Sequence, residues 1–395
     1  MTKIKNIPIV TVVLIDCIEL ASKQPIGLFL KYLTVYLTVL NFLNLCINMR
    51  NMLKYFKTSF VISFIGLLLS GFIGFQISGI QGMIQTAFIA TVLAVLEVSL
   101  SFDNAIVNAT VLKKMTPIWR HRFLTWGMVI AVFGMRLVFP VAIVSIVGKI
   151  DPWGALNLAL FNPQEYATLM LSAHIEISAF GGSFLLLVGL KYFYDENKNE
   201  HWIKVIEKPL SLMGRFEAIE IAITLGTLLF ILNFLQETDK MSFLAAGIWG
   251  IIVYVLVDGL GSWLEFSGQQ KNDVNRASAG MFLYLEVLDA SFSFDGVIGA
   301  FAITQNLLII MIGLSIGAFF VRSLTIYFVE KETLKQFAYL EHGAFYAILS
   351  LALMMLIDPF LHVPEWVTGL LGGFIIVMSF IWSVKFAPLE ESDKS

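Results

Sequence analysis

The stretch Glu97-Val-Ser-Leu-Ser-Phe-Asp103 returns without a gap as Asp289-Ala-Ser-Phe-Ser-Phe-Asp295, and each copy lies inside a long apolar run. A carboxylate at the centre of a bilayer costs about 2.5–3.5 kcal/mol on insertion scales. Two matched copies therefore point to an internal duplication with an acidic, hydroxyl-lined site at its centre. Such a pattern suits a protein that handles a cation within a membrane.

The rest of the chain agrees with a membrane setting. Hydrophobic residues make up 58% of it and charged residues only 14%, against roughly 25% charged in soluble domains. Ten apolar runs are long enough to cross a bilayer core of about 30 Å: 57–76, 84–112, 122–148, 166–192, 216–236, 243–264, 279–303, 306–329, 338–357 and 365–386. The fold class is thus an all-α polytopic membrane protein with about ten transmembrane helices. Residues 52–390 form its transporter domain: repeat one is 84–192, the central helices 216–264, repeat two 279–357 and the last helix 365–386. Two cysteines, Cys17 and Cys46, argue against disulfides and thiolate metal sites.

Basic residues alternate between loops. Lys113, Lys114, Arg120 and Arg122 mark one flank, Lys191, Lys198, Lys204, Lys208 and Arg215 the next but one, while the loops between carry only Lys149 and Lys240. Counting positive-inside puts both ends of the ten-helix body in the cytoplasm, in the plasma membrane. The motif runs are the second and seventh, five apart, so they are antiparallel and the repeat is inverted. Residues 1–51 stand outside this scheme. They admit two readings, a natural start at Met52 or one additional helix over Pro25–Ile47.

Each half carries three polar anchors in the same order. After the acidic motif comes an arginine, Phe133-Gly-Met-Arg136 matching Phe319-Phe-Val-Arg322. A glutamate segment follows, Ala173-His-Ile-Glu176-Ile-Ser-Ala-Phe180 matching Ala338-Tyr-Leu-Glu341-His-Gly-Ala-Phe345. In a regular helix Ser99 shares a face with Asp103, as Ser291 does with Asp295, whereas Glu97 and Asp103 are about 120° apart. The Ser-Phe-Asp-Asn composition favours a broken helix with freed carbonyls.

About a dozen ionisable groups at membrane depth would cost on the order of 30 kcal/mol if they faced lipid, more than the net stability of a typical protein. They must converge on an interior. Asp103 and Asp295 are expected to meet there, with Ser99, Ser101, Ser291, Ser293 and Asn104 adding neutral oxygens. An all-oxygen anionic cage suits Mn²⁺, Mg²⁺ or Ca²⁺ rather than Zn²⁺ or Cu⁺. His174 and His342 favour Mn²⁺ slightly, although a packing role fits them better than ligation. Glu97, Asp289, Glu286, Glu176 and Glu341 exceed what one ion needs, and the surplus is expected to carry protons. Arg136 and Arg322 are expected to neutralise Glu176, Glu341 or the aspartates when the ion is absent, or to pair with them permanently.

The first motif resembles the Glu-x-x-Leu-Ser-x-Asp-Asn signature of TerC-type tellurium-resistance membrane proteins, and Glu286-Val-Leu-Asp289-Ala-Ser-Phe-Ser-Phe-Asp295 resembles their second motif. The resemblance covers roughly 52–386 and looks like a long branch of the LysE-like transporter grouping, with Gly296 where Ser is usual. It implies an inverted three-helix repeat and, for several relatives, Mn²⁺ export. It also implies that Glu97, Asp103, Asn104, Asp289 and Asp295 coordinate the ion. The expected function is proton-coupled efflux of a divalent metal, Mn²⁺ first, with the ion as substrate, no permanently bound cofactor and no nucleic-acid partner. Two other classes compete: a stress-response membrane scaffold without transport, and an intramembrane aspartyl enzyme. No His-Glu-x-x-His motif occurs, and the symmetric serines and arginines have no part in aspartyl chemistry, so an enzyme is not expected.

Overall fold

The computed structural model describes residues 26–386 apart from 197, 199, 217, 271–273 and 362. Side chains are described from residue 54 on, except at 265–270, 274, 276, 294, 295, 302, 335, 365 and 366. Met1–Tyr55 and Phe56–Ser395 are separate compact units, and the second contains every element of the site. Of residues 1–51, on which the two N-terminal readings turn, 1–25 and all side chains lie outside the described residues.

All described regular structure is helical. Among the described residues seven helices are long and apolar enough to cross a membrane, where ten apolar runs are legible in the sequence. One of the three missing runs is merged into α1 (Lys54–Leu100), and the other two are those at 216–236 and 279–303. A straight helix of 47 residues would extend about 70 Å, more than twice the bilayer core. It is not straight: Ser78 (φ −147°, ψ 31°) and Gly79 (φ 66°, ψ −146°) break it. Past the break the chain doubles back, with Thr86 Oγ1 donating to Ser70 O at 2.7 Å. The two arms meet at Gly74 and Gly82, where a Cβ on either would fall 2.2 Å from the other's carbonyl oxygen. The first arm presents Phe60, Phe64, Leu68 and Phe72 at four-residue spacing, each more than half exposed, as an apolar stripe suited to lipid.

α2 (Phe102–Leu112) follows after the single non-helical residue Ser101. α3 (Pro117–Gly148) contains two π-wound stretches, Phe123–Gly127 and Ile130–Val138. The run expected at 166–192 divides at Ala173 into α5 (Pro163–Ser172) and α6 (His174–Phe193), preceded by the short α4 (Pro152–Phe161). Asp151 caps α4 by accepting from Gly154 N at 3.0 Å. Outside the apolar runs lies α7 (Lys204–Met213). The central run appears as α8 (Ile219–Ile231), extended by one 3₁₀ turn, and α9 (Glu237–Gln270). The second half comprises α10 (Val274–Ile303), α11 (Leu307–Glu330), α12 (Leu340–Leu361) and α13 (Glu365–Phe386).

The centre of the bundle is α6, 72% of whose most apolar window is buried. It packs against α9 and α12, while α2 packs against α11 and α12. Phe184, Leu185, Leu187, Leu288, Ile348 and Leu356 are among the fully enclosed side chains of the larger core.

Candidate functional site

Ser101 (φ −103°, ψ 16°) interrupts the first acidic helix. Its own N–H still reaches Glu97 O (2.9 Å) and Ala105 N–H reaches Ser101 O (3.2 Å). The Asn104 N–H turns instead to Asp103 Oδ1 at 2.9 Å. The expected break is therefore present in the first copy. The second copy differs: α10 runs helically through Ser291–Asp295. Ser291 Oγ donates back to Val287 O at 3.0 Å, the ordinary four-residue contact of an uninterrupted helix.

Neighbouring side chains of this segment face two different cavities. One cavity of about 40 Å³, room for roughly two or three waters, is lined by Glu97, Ser101, Asn104, Asn108, Asp289 and Ser293, together with both arginines, Arg136 and Arg322. Asp103 is absent from it. With Ser99, Asp103 lines a second cavity of about 10 Å³ whose other wall is Thr368, Gly369, Gly372 and Gly373 of α13. Ser99 and Asp103 thus share a face, as their spacing predicts, but it is not the face of Glu97. The side chain of Asp295 lies outside the described residues, so its expected meeting with Asp103 does too.

Within the first cavity the two halves are wired differently. Arg136, 3% exposed, places Nη2 2.5 Å from Glu97 Oε1 and donates from Nη1 to Ala131 O within its π-wound turn. Ser101 Oγ also donates to Glu97 Oε1 at 3.3 Å. Arg136 therefore pairs with Glu97 rather than Glu176, because the wide π turn carries its guanidinium toward the end of α1. Asp289 instead accepts from Asn108 Nδ2 at 2.7 Å. Arg322 stacks its guanidinium 4.0 Å over the Phe123 ring and leaves Nη2 without a hydrogen-bond partner. Asn104 Oδ1, Asn108 Oδ1, Ser293 Oγ and Glu286 Oε1 are likewise buried and unpartnered. Glu286 and Arg322 both crowd Gly127, where a Cβ would fall 2.4 Å from Glu286 Oε1 and 2.8 Å from Arg322 Nη2.

The third anchors go elsewhere. His174 Nε2 lies 2.7 Å from Asp358 Oδ2. Glu176 is half-buried in the first turn of α6 with Oε2 unpartnered, and Glu341 is half-buried in the first turn of α12; neither lines the cavities around the acidic motifs. His342 Nδ1 sits 2.9 Å from Glu207 Oε2. Glu207, 1% exposed, also accepts from Trp202 N (3.3 Å) and Ile203 N (3.2 Å) and has Lys198 Nζ at 3.3 Å. Burial alone would raise its pKa, but the His342 hydrogen bond and charge, with Lys198 and Ile203, hold it down at about 2. For Lys198 burial wins over the neighbouring acids, and its pKa is lowered.

Two groups were not singled out from the sequence. Asn108 is one turn beyond Asn104, and that i, i+4 spacing is the signal that would have found it. Glu207 lies 135 residues from His342, and no local pattern joins them. Among the described residues, no group of three or more His, Cys, Asp or Glu is placed to hold a metal ion.

Fold and site together define an all-helical protein of the lipid bilayer that encloses a charged, polar cavity. Residues 102–388 match the family described as "Protein of unknown function (DUF475)", and the chain belongs to that family. No curated protein and no solved structure matches it.

Proposed function

We propose that this protein is a secondary transporter that exports a divalent metal cation, Mn²⁺ first, from the cytoplasm across the plasma membrane in exchange for protons. One observation carries the reading: Glu97, Asn104, Asn108, Asp289 and Ser293 converge on a small cavity, with Arg136 and Arg322 in its wall. The two carboxylates and two guanidiniums sum to zero charge, which suits an ion-free resting state. A divalent ion adds charge that the cavity accommodates only if Arg136 leaves Glu97. Ion and arginine then alternate at one carboxylate, and burial makes each state costly unless its partner is present. Glu286, buried with one oxygen unpartnered beside Gly127, is the group we assign to the exchanged protons.

The same reading includes ten passes and an inverted repeat. Taking α1 as two passes and adding α8 and α10 to the remaining long helices gives ten. Gly127 and Gly313 each stand nine residues before their arginine. Gly127 abuts Glu286 of α10 and Gly313 abuts Leu93 of α1, so each arginine helix packs on the other half's acidic helix. That crossing supports two halves related by a pseudo-twofold axis.

A second reading is favoured by the free Nη2 of Arg322, a donor suited to a carboxylate-bearing solute. The test is flux of Mn²⁺, Mg²⁺ and Ca²⁺ into proteoliposomes for wild type, Glu97→Gln and Asp289→Asn. Divalent flux in wild type that both variants abolish supports the proposal. No flux of any of the three from correctly folded protein rejects it and leaves the organic solute.

A further inference from the structure

Asp103 is 5% exposed, and no Lys, Arg or His lies within 4 Å of it among the described residues. An ionised carboxylate so placed is costly without a cation. Its cavity has room for one water-sized particle. Of the charged groups nearby, Glu97, Asp289, Arg136 and Arg322 stand at the first cavity, His342 pairs with Glu207 and Asp358 with His174, while Glu341 and Lys385 lie at helix ends outside the lining of this cavity.

The cavity also has neutral oxygens in its wall. At the Ser101 break the Asn104 N–H turns to Asp103 Oδ1, away from the Leu100 carbonyl that a continuous helix would offer it. Leu100, whose carbonyl loses that donor, lines the cavity together with Ser99. Thr368 and the Ser99 hydroxyl add neutral oxygens, and glycines across the gap keep the space open.

We infer that Asp103, Ser99, Thr368 and the Leu100 carbonyl form a second cation site, distinct from the cargo cavity, that binds Na⁺. One carboxylate among neutral oxygens matches a single positive charge, whereas a divalent ion calls for more anionic ligands. Unwound backbone carbonyls are a recurrent way of holding Na⁺ in membrane helices. The site lies on the opposite side of the same break that presents Ser101 and Asn104 to the cargo cavity. Na⁺ drawing on Asp103 therefore fixes the geometry of that break, and cargo binding becomes Na⁺-dependent. This last step rests on the transport reading; the Na⁺ site does not.

The experiment uses the purified full chain in detergent. Thermal unfolding is followed against NaCl with KCl and choline chloride as controls, and Mn²⁺ flux is measured in parallel with and without Na⁺. Wild type should be stabilised by Na⁺ alone, Asp103→Asn should lose the response, and Thr368→Val should raise the half-saturating Na⁺ roughly tenfold. If Asp103→Asn does not fold, Thr368→Val and Ser99→Ala carry the test. No Na⁺-specific shift in wild type, a shift with low pH only, or one unchanged in these variants overturns the inference. A Na⁺ shift without divalent flux leaves the site standing and removes the transport reading instead.

Discussion

Replacing Arg136 by Met should destabilise the protein more than any other change in the cavity wall, because it strands Glu97. Glu97 is 5% exposed, its Oε1 is 2.5 Å from Arg136 Nη2, and its one other donor is the Ser101 hydroxyl at 3.3 Å. Opposite charges about 4 Å apart attract by about 4 kcal/mol at an effective dielectric of 20, and breaking a buried pair from one side costs about 3–5 kcal/mol. Glu97→Gln should cost a similar amount by stranding the guanidinium, whose Nε already lacks a partner. The double variant removes both charges and should cost less than either single change, giving a coupling energy of more than about 3 kcal/mol. Equilibrium unfolding in mixed micelles, run as a double-mutant cycle, measures it. Costs that add to within about 0.5 kcal/mol would refute the pair as an energetic unit.

Other outcomes follow from the same geometry. If Arg136 is the ion's competitor for Glu97, Arg136→Met should bind Mn²⁺ roughly tenfold more tightly yet transport it more slowly, read by calorimetry and flux; weaker binding would contradict the switch. Gly82→Ala drives a Cβ to 2.2 Å from Gly74 O and should cost about 1–3 kcal/mol. Gly226→Ala, with nothing within 4 Å, should be neutral or stabilising by up to about 1 kcal/mol; paired thermal melts compare the two. Glu207 has a pKa of about 2 when folded against an ordinary 4.5, so its contribution is complete above about pH 4.5 and lost as pH falls toward 2. An acid titration of stability should show that loss in wild type and not in Glu207→Gln.

Much of this arrangement is legible in the chain, for identifiable reasons. Apolar runs and alternating basic flanks report on the bilayer directly, because lipid penalises charge wherever it is exposed. The repeated acidic motif pointed to Glu97, Asn104 and Asp289, which do share a cavity. The different course of the two motif copies was not legible. The first copy is interrupted at Ser101, whereas α10 runs helically through Ser291–Asp295, although the two share the same Ser-Phe-Asp ending. Arg136 found Glu97 through the π winding of α3, a register that residue spacing does not reveal. The partners of His174 and His342, Asp358 and Glu207, stand 184 and 135 residues away in the chain and belong to other helices.

A structure of the protein with Mn²⁺ bound, using the metal's anomalous scattering to place it, tests the account most directly. A peak between Glu97 and Asp289, with the Arg136 guanidinium displaced from Glu97, is the predicted result. Mn²⁺ bound elsewhere, or an Arg136–Glu97 pair unmoved beside an ion-free cavity, would contradict it.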